Sequence, residues 1–417
     1  MAGPLDIHAM RFPDLTLTLL LALLAACAPE APSPHLAARE IGSPAGPDSG
    51  EPFLSSSGEV VYMSWLERAE PGGHDLLFAR YDEGAWGPPQ LITRSERFFV
   101  NWADFPSLAS GPDGALWAHW LERGETGGYD YGVRIARSTD GGTSWSAPWT
   151  PHEDGTATEH GFVSSVPVEG GLGFVWLDGR GFAAGADGTP PAEQMALHFR
   201  IMGAGGPQSG EIQMDARVCD CCQTDAAATV NGPVVVYRDR SPEEIRDIYL
   251  TRWVDGAWSE GAPVHADGWE TGACPVNGPS VVARGDDVSV AWFTAAGGVP
   301  RVNVAFSTDA GARFGQPTIV DAGNPAGRVD LIMLEDGSVL LSWLERTGGD
   351  WAEVLVRHVA PDGRAGDPLS VSRASSERAS GFPRLIAVPG GGALVAWTDV
   401  AEAAPRVRVA VVDVASP

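Results

Sequence analysis

Seven large aromatic residues recur along this chain at a spacing that only a repeat architecture produces. They are Trp65, Trp120, Trp176, Tyr237, Trp292, Trp343 and Trp397, separated by 55, 56, 61, 55, 51 and 54 residues. Each closes a short run of small and apolar residues: "VVYMSW", "LWAHW", "LGFVW", "VVVY", "VSVAW", "VLLSW" and "ALVAW". A second alternating run follows each one, from "DLLFAR" to "RVRVAV". Alternation with a period of two is the mark of strands, and no long helical periodicity interrupts it. The stretch Phe105–Pro148 displays a whole unit. A strand "FPSLAS" is followed by the turn "GPDG", the strand "ALWAHWLER", a loop, the strand "YGVRIARS", a turn, and "APWTP" as a fourth strand. Four strands in each repeat of about 50 residues predict an all-β chain, a β-propeller of four-stranded blades. Seven blades are predicted, with six as the alternative. No blade buries both faces alone, so the aromatics are expected to pack between neighbours.

The last unit ends at "RVRVAVVDVASP" and lacks a fourth strand, while "HLAAREIGS" (His35–Ser43) is spare sequence ahead of the first unit. That segment is expected to return beside Arg406–Val411 and close the ring. The predicted propeller spans 51–417, and 28–50 reads as a Pro/Ala-rich tether, mostly disordered, part of which closes the ring. Residues 1–27 read as a targeting segment. "LTLTLLLALLAAC" is an apolar run too short to span a bilayer and remain there. Leu24-Ala25-Ala26-Cys27 matches the bacterial lipobox, with Cys27 the lipidated residue. The expected location is the bacterial envelope, lipid-anchored, at an outer membrane facing periplasm or cell surface. The net charge is −26 and every basic residue is Arg. Such a surface argues against nucleic acid and against adhesion to anionic lipid, so membrane contact is expected through the anchor alone. A monomer is expected.

In a propeller, loops after each second strand and loops entering each innermost strand share one face, around the mouth of the channel. Two positions past the aromatics stand Glu67, Glu122, Asp178, Asp239, Thr294, Glu345 and Asp399. A solvated rim of ion pairs is one reading of this acidic ring. A ligand site formed by "WLDGRG" and "YRDRSPEEIRD" is the other, since Arg forks suit carboxylate or sulfate. Ligand-binding candidates are Trp102, His160, Asp178, Arg180, Arg238, Asp239, Arg328 and Arg384, with Asp104 on an entering loop.

Cys219, Cys221 and Cys222 enter the fourth module and Cys274 enters the fifth. Adjacent blades bring all four to one stretch of the mouth. Disulfides, a Zn or Cu(I) site and free or redox-active thiols are all open readings. Cys222 is expected to lie close to Cys274, with Cys219 and Cys221 pairing locally or staying reduced.

Ser138-x-Asp140-x-Gly142-x-x-Trp145 and its second copy, Ser307-x-Asp309-x-Gly311-x-x-Phe314, match the Asp-box turn. With the repeat and the lipobox, they make the chain resemble the sialidase/BNR-repeat superfamily, in the form of an envelope lipoprotein. That resemblance covers roughly 51–417 and implies a propeller with a structural role for these turns. It also implies a ligand (a glycan, an anionic small molecule or a protein) at the channel mouth. A sialidase-like exo-glycosidase acting on acidic sugars is the alternative, and a metal- or redox-linked propeller using the Cys cluster is another. The family's Phe/Tyr-Arg-Ile-Pro motif is not matched: "FPSL" lacks the Arg, and "FPRL" carries Arg384 late in the chain. No catalytic residue is therefore assigned, and no release of sialic acid from simple sialosides is expected.

Overall fold

The computed structural model describes residues 33–185, 188–401 and 404–415, together with Met1 and Gly3. The lipobox and Cys27 lie outside the described residues. From Ser33 onward the chain forms seven antiparallel sheets arranged in chain order, so the blades number seven. In the first, Ser49–Ser57 is innermost, followed by Val60–Arg68, His74–Asp82 and Gln90–Ser95. The seventh blade has only three strands of its own: Arg384–Ala387, Ala393–Asp399 and Arg406–Ala415. Its outer strand is His35–Ile41, which pairs antiparallel from His35 opposite Ala415 to Ile41 opposite Val409. The segment read as mostly disordered tether is therefore ordered from this strand onward, because an unpaired Arg406–Ala415 edge would otherwise remain. One expected strand is missing. "APWTP" in the second blade makes a single bridge, Trp149 with Ile135, and that sheet has three strands. Pro148 and Pro151 flank the bridge and supply no N–H, so a ladder cannot extend through them.

The recurring aromatics are core. Trp65, Trp176, Trp292 and Trp343 are fully buried, and Trp120, Tyr237 and Trp397 are at most 3% exposed. Apolar clusters form between neighbouring blades. One joins Met63 and Trp65 of the first blade to Leu394 and Ala396 of the seventh across the closure. Another joins Ile332 and Leu344 of the sixth to Leu385 and Trp397. Burying one such ring contributes about 4–6 kcal/mol before entropy, which explains its recurrence in every blade.

The acidic residue two positions past the aromatic has a role that neither sequence reading anticipated. Side chains two apart in a strand share a face. Glu67, Asp178 and Glu345 use this to accept the indole N–H of Trp65, Trp176 and Trp343 at 3.2, 2.8 and 2.7 Å. In the fifth blade that position is Thr294, and Asp267 of the entering loop accepts the Trp292 N–H at 2.7 Å instead. The first, third and sixth blades thus pair a buried indole donor with an acceptor on the same strand.

The two Ser-x-Asp-x-Gly turns are built alike. Ser138 Oγ accepts from the Gly142 N–H at 2.9 Å and donates to Asp140 Oδ1 at 2.8 Å, and Asp140 Oδ1 accepts from the Ser144 N–H at 2.9 Å. Ser307, Asp309, Gly311 and Arg313 repeat these bonds. Gly142 has φ +91°, and a Cβ there would strike the Phe78 ring of the first blade. Trp145 meets that ring edge-on, with centroids 6.2 Å apart. Phe314 packs in the cluster between the fourth and fifth blades.

Candidate functional site at the mouth of the third blade

Phe53, Phe105, Phe162 and Phe382 line the channel and leave a void of about 60 Å³. That volume holds a few water molecules and no sugar ring. Arg384 lies there, 4.7 Å above the Phe53 ring and ion-paired to Asp330 at 3.2 Å. Asp225, half-buried beside Ser280, is pushed up to about 6 by desolvation.

The polar groups gather instead where the third blade meets its neighbours. Its innermost strand, His160–Val168, begins at a buried histidine. His160 Nδ1 faces the Thr158 carbonyl at 3.1 Å and Nε2 faces Asp154 Oδ2 at 2.9 Å. Neither oxygen carries a hydrogen, so both ring nitrogens must donate and His160 is an imidazolium. Burial opposes this charge, but the Asp154 hydrogen bond and the Asp178 carboxylate outweigh it and raise the pKa. Burial likewise opposes the Asp154 anion, and hydrogen bonds from His160 and Thr156 hold it well below the usual range. Arg180 bonds Asp178 Oδ1 and Oδ2, each at 2.7 Å, and Glu211 Oε2 at 2.6 Å. His198 is 4% exposed and lies 3.7 Å from Glu211.

A second group adjoins the first. The Tyr131 hydroxyl lies 2.5 Å from Glu159 Oε1 and 3.0 Å from Asp104 Oδ2. One phenolic hydrogen cannot satisfy both contacts, so a carboxyl must supply the other proton. Burial pushes Glu159 up to about 7, with the Asp220 charge adding, and pushes Asp104 up to about 8. The phenol is itself buried and stacked on Phe99 at 3.8 Å. Only Glu159 of this trio reaches an open cleft of about 360 Å³, lined also by Tyr129, Asp130, Thr158, Phe182 and Asp220. Tyr129 is 70% and Phe182 41% exposed.

The candidates read from sequence divide accordingly. His160, Asp178, Arg180 and Asp104 come together around the third blade. Arg238 is buried, donating to the carbonyls of Asn277, Arg246 and Phe293, with its guanidinium 4.8 Å from the Trp269 ring. Arg328 donates to the Glu377 and Gly381 carbonyls and lies 4.8 Å from the Trp102 ring, which stacks on Phe382. These two arginines hold loops of neighbouring blades together. Asp239 is half-buried, pushed up to about 6 by burial and by Asp215. Sequence reading missed His152, Asp154, Glu159, His198 and Glu211. A usable signal was present, since His152, His160 and His198 are three of only nine histidines and fall in one repeat.

The cysteines pair as Cys219–Cys222 and Cys221–Cys274, with Cα separations of 5.8 and 6.2 Å. The expected pairing, Cys222 with Cys274 and Cys219 with Cys221 locally or reduced, is thus corrected: both of those partners are exchanged. A turn at Asp220–Cys221 carries Cys221 outward to the exposed Cys274 and leaves Cys222 buried.

No family profile and no curated protein sequence matches this chain. Solved structures do. A protein of unknown function from Dyadobacter fermentans is 16% identical, with 93% of this chain and 100% of that chain covered at a TM-score of 0.50. The polysaccharide lyase Uly1 is 12% identical, with 87% and 90% covered at 0.50. The NanB sialidase of Streptococcus pneumoniae, as its K499G mutant, is 10% identical, with 87% and 68% covered at 0.46. At such identities what is shared is the fold: this chain is a seven-bladed β-propeller.

Proposed function

We propose that this propeller binds a glycan in the cleft between Tyr129 and Phe182, and that a lipid on Cys27 holds it at the bacterial envelope. The observation that carries the reading is the composition of the cleft. Two exposed rings flank three carboxyl groups, Asp130, Glu159 and Asp220. Aromatic faces take the C–H face of a sugar, and carboxylates accept from its hydroxyls. Among the described residues the lining has no arginine, and Arg180, Arg238, Arg328 and Arg384 each have internal partners, so a neutral sugar fits better than an acidic one. Sharing its fold with a polysaccharide lyase agrees with a carbohydrate ligand. Titration calorimetry of residues 33–417 against neutral oligosaccharides tests it. Tyr129→Ala is expected to weaken binding at least tenfold, and affinity unchanged by that substitution sinks the cleft assignment. Cys27→Ala should release the protein from the membrane fraction.

A second reading, glycoside hydrolysis, is favoured by one observation. Glu159 keeps its proton to about pH 7, while Asp220 is paired to Arg240 at 3.1 Å. A carboxyl that burial keeps protonated, next to one bound by a guanidinium, suits an acid and its partner. Sugar release abolished by Glu159→Gln, with binding retained, would establish it; turnover unaffected by that change would exclude it.

A further inference from the structure

Cys219-x-x-Cys222 has the spacing of dithiol redox motifs, and it is joined to a second bridge. The two bridges differ in access. Cys219 and Cys222 are each 1% exposed, whereas Cys274 is exposed and Cys221 half-buried. Cys219 Sγ and Cys221 Sγ, which belong to different bridges, are 3.9 Å apart, near van der Waals contact. The Arg246 guanidinium, 3% exposed, donates to Cys219 Sγ at 3.6 Å and is held by Glu244 at 2.8 Å. A cation beside a sulfur favours its thiolate and so its departure from a disulfide. Structural need accounts for one bridge only. Cys221–Cys274 ties the fourth blade to the fifth across 53 residues, whereas Cys219–Cys222 closes a three-residue separation and restrains the unfolded chain far less.

We infer that the four cysteines form a thiol–disulfide relay, in which the exposed Cys221–Cys274 bridge passes electrons from an external dithiol to the buried Cys219–Cys222 bridge. A thiolate of the dithiol attacks Cys274 Sγ, forming a mixed disulfide and expelling Cys221 as thiolate. Cys221 attacks Cys219 across the 3.9 Å contact, forming Cys219–Cys221 and expelling Cys222. The second thiol of the external molecule closes its own disulfide and expels Cys274. Cys274 then attacks Cys221, restoring the outer bridge and expelling Cys219 beside Arg246. The external dithiol loses two electrons and two protons, and Cys219 and Cys222 gain the electrons. The same steps reversed let an external disulfide oxidise the inner pair.

The test is the rate at which Cys219–Cys222 opens in excess dithiothreitol without air, read by timed alkylation and peptide mass spectrometry on residues 33–417. In Cys221→Ser/Cys274→Ser the inner pair keeps its burial but loses its relay, and its reduction is expected to slow at least tenfold. Equal rates in the two proteins overturn the proposal. A second variant guards against misfolding of the first. Cys222→Ser/Cys274→Ser retains only the two sulfurs of the intermediate and should form Cys219–Cys221 on mild oxidation. Persistence of two free thiols there also overturns it.

Discussion

His152 and His160 lie face to face, ring centroids 3.9 Å apart and 9° from parallel, yet their pKa values move in opposite directions. His160 is held charged by Asp154. His152 accepts the Val133 N–H at Nε2, 3.1 Å away, and burial together with the His160 charge pushes it down to about 3. Between the ordinary histidine value and about 3, the unfolded chain binds a proton at His152 that the folded chain does not. Stability is therefore expected to fall as pH drops through that window, by at most about 1.4 kcal/mol per pH unit for one proton. Urea melts at successive pH values measure the slope. An NMR titration of His152 with its midpoint near 6.5 would contradict the pairing.

Glu159 has the opposite linkage. Its folded pKa, about 7, lies above the ordinary carboxyl value, so it stabilises the fold at low pH and that contribution is lost as pH rises through about 7. Glu159→Gln keeps an acceptor and a donor beside Tyr131 and cannot ionise. It should match the wild type near pH 5 and exceed its stability at pH 8.5 by about 1–3 kcal/mol. Parallel pH profiles of the two proteins would show that Glu159 ionises without constraint.

Glu345 and Glu122 occupy equivalent positions but have different partners. Glu345 accepts the buried Trp343 N–H at 2.7 Å, and Glu122 pairs with half-buried Arg134 at 3.2 Å. Glu345→Ala strands a buried donor and should cost about 1–3 kcal/mol, whereas Glu122→Ala should cost less than about 1 kcal/mol. Chemical denaturation of both variants decides it, and equal losses would refute the indole-acceptor role.

Removing residues 1–42 takes away the outer strand of the seventh blade, including Leu36 and Ala38 packed on its core. The exposed Arg406–Ala415 edge is expected to lower the melting temperature by at least about 5 °C and to promote aggregation. A truncated protein that melts like residues 33–417 and stays monomeric in light scattering would contradict closure.

The architecture was legible because it is written locally and repeatedly. Alternation with period two, a buried aromatic in each repeat and turn residues between strands act within a few residues. Seven copies leave only a ring in which each blade covers the next, and the missing last strand pointed to His35–Ser43. The strand count of the second blade was less legible, because two prolines outweigh a strand-like composition. The site depended on the tertiary structure. The acidic positions after each aromatic look alike in sequence, but Glu345 accepts an indole N–H, Asp178 also holds Arg180, and Glu122 pairs with Arg134. Arg238 and Arg328 read as ligand forks, and their burial against backbone carbonyls follows from how neighbouring blades meet. Glu159 and Tyr131 are 28 residues apart and Cys221 and Cys274 are 53 apart. Only the closed ring sets such pairs side by side, and only burial there decides which carboxyl keeps its proton and which sulfur meets solvent.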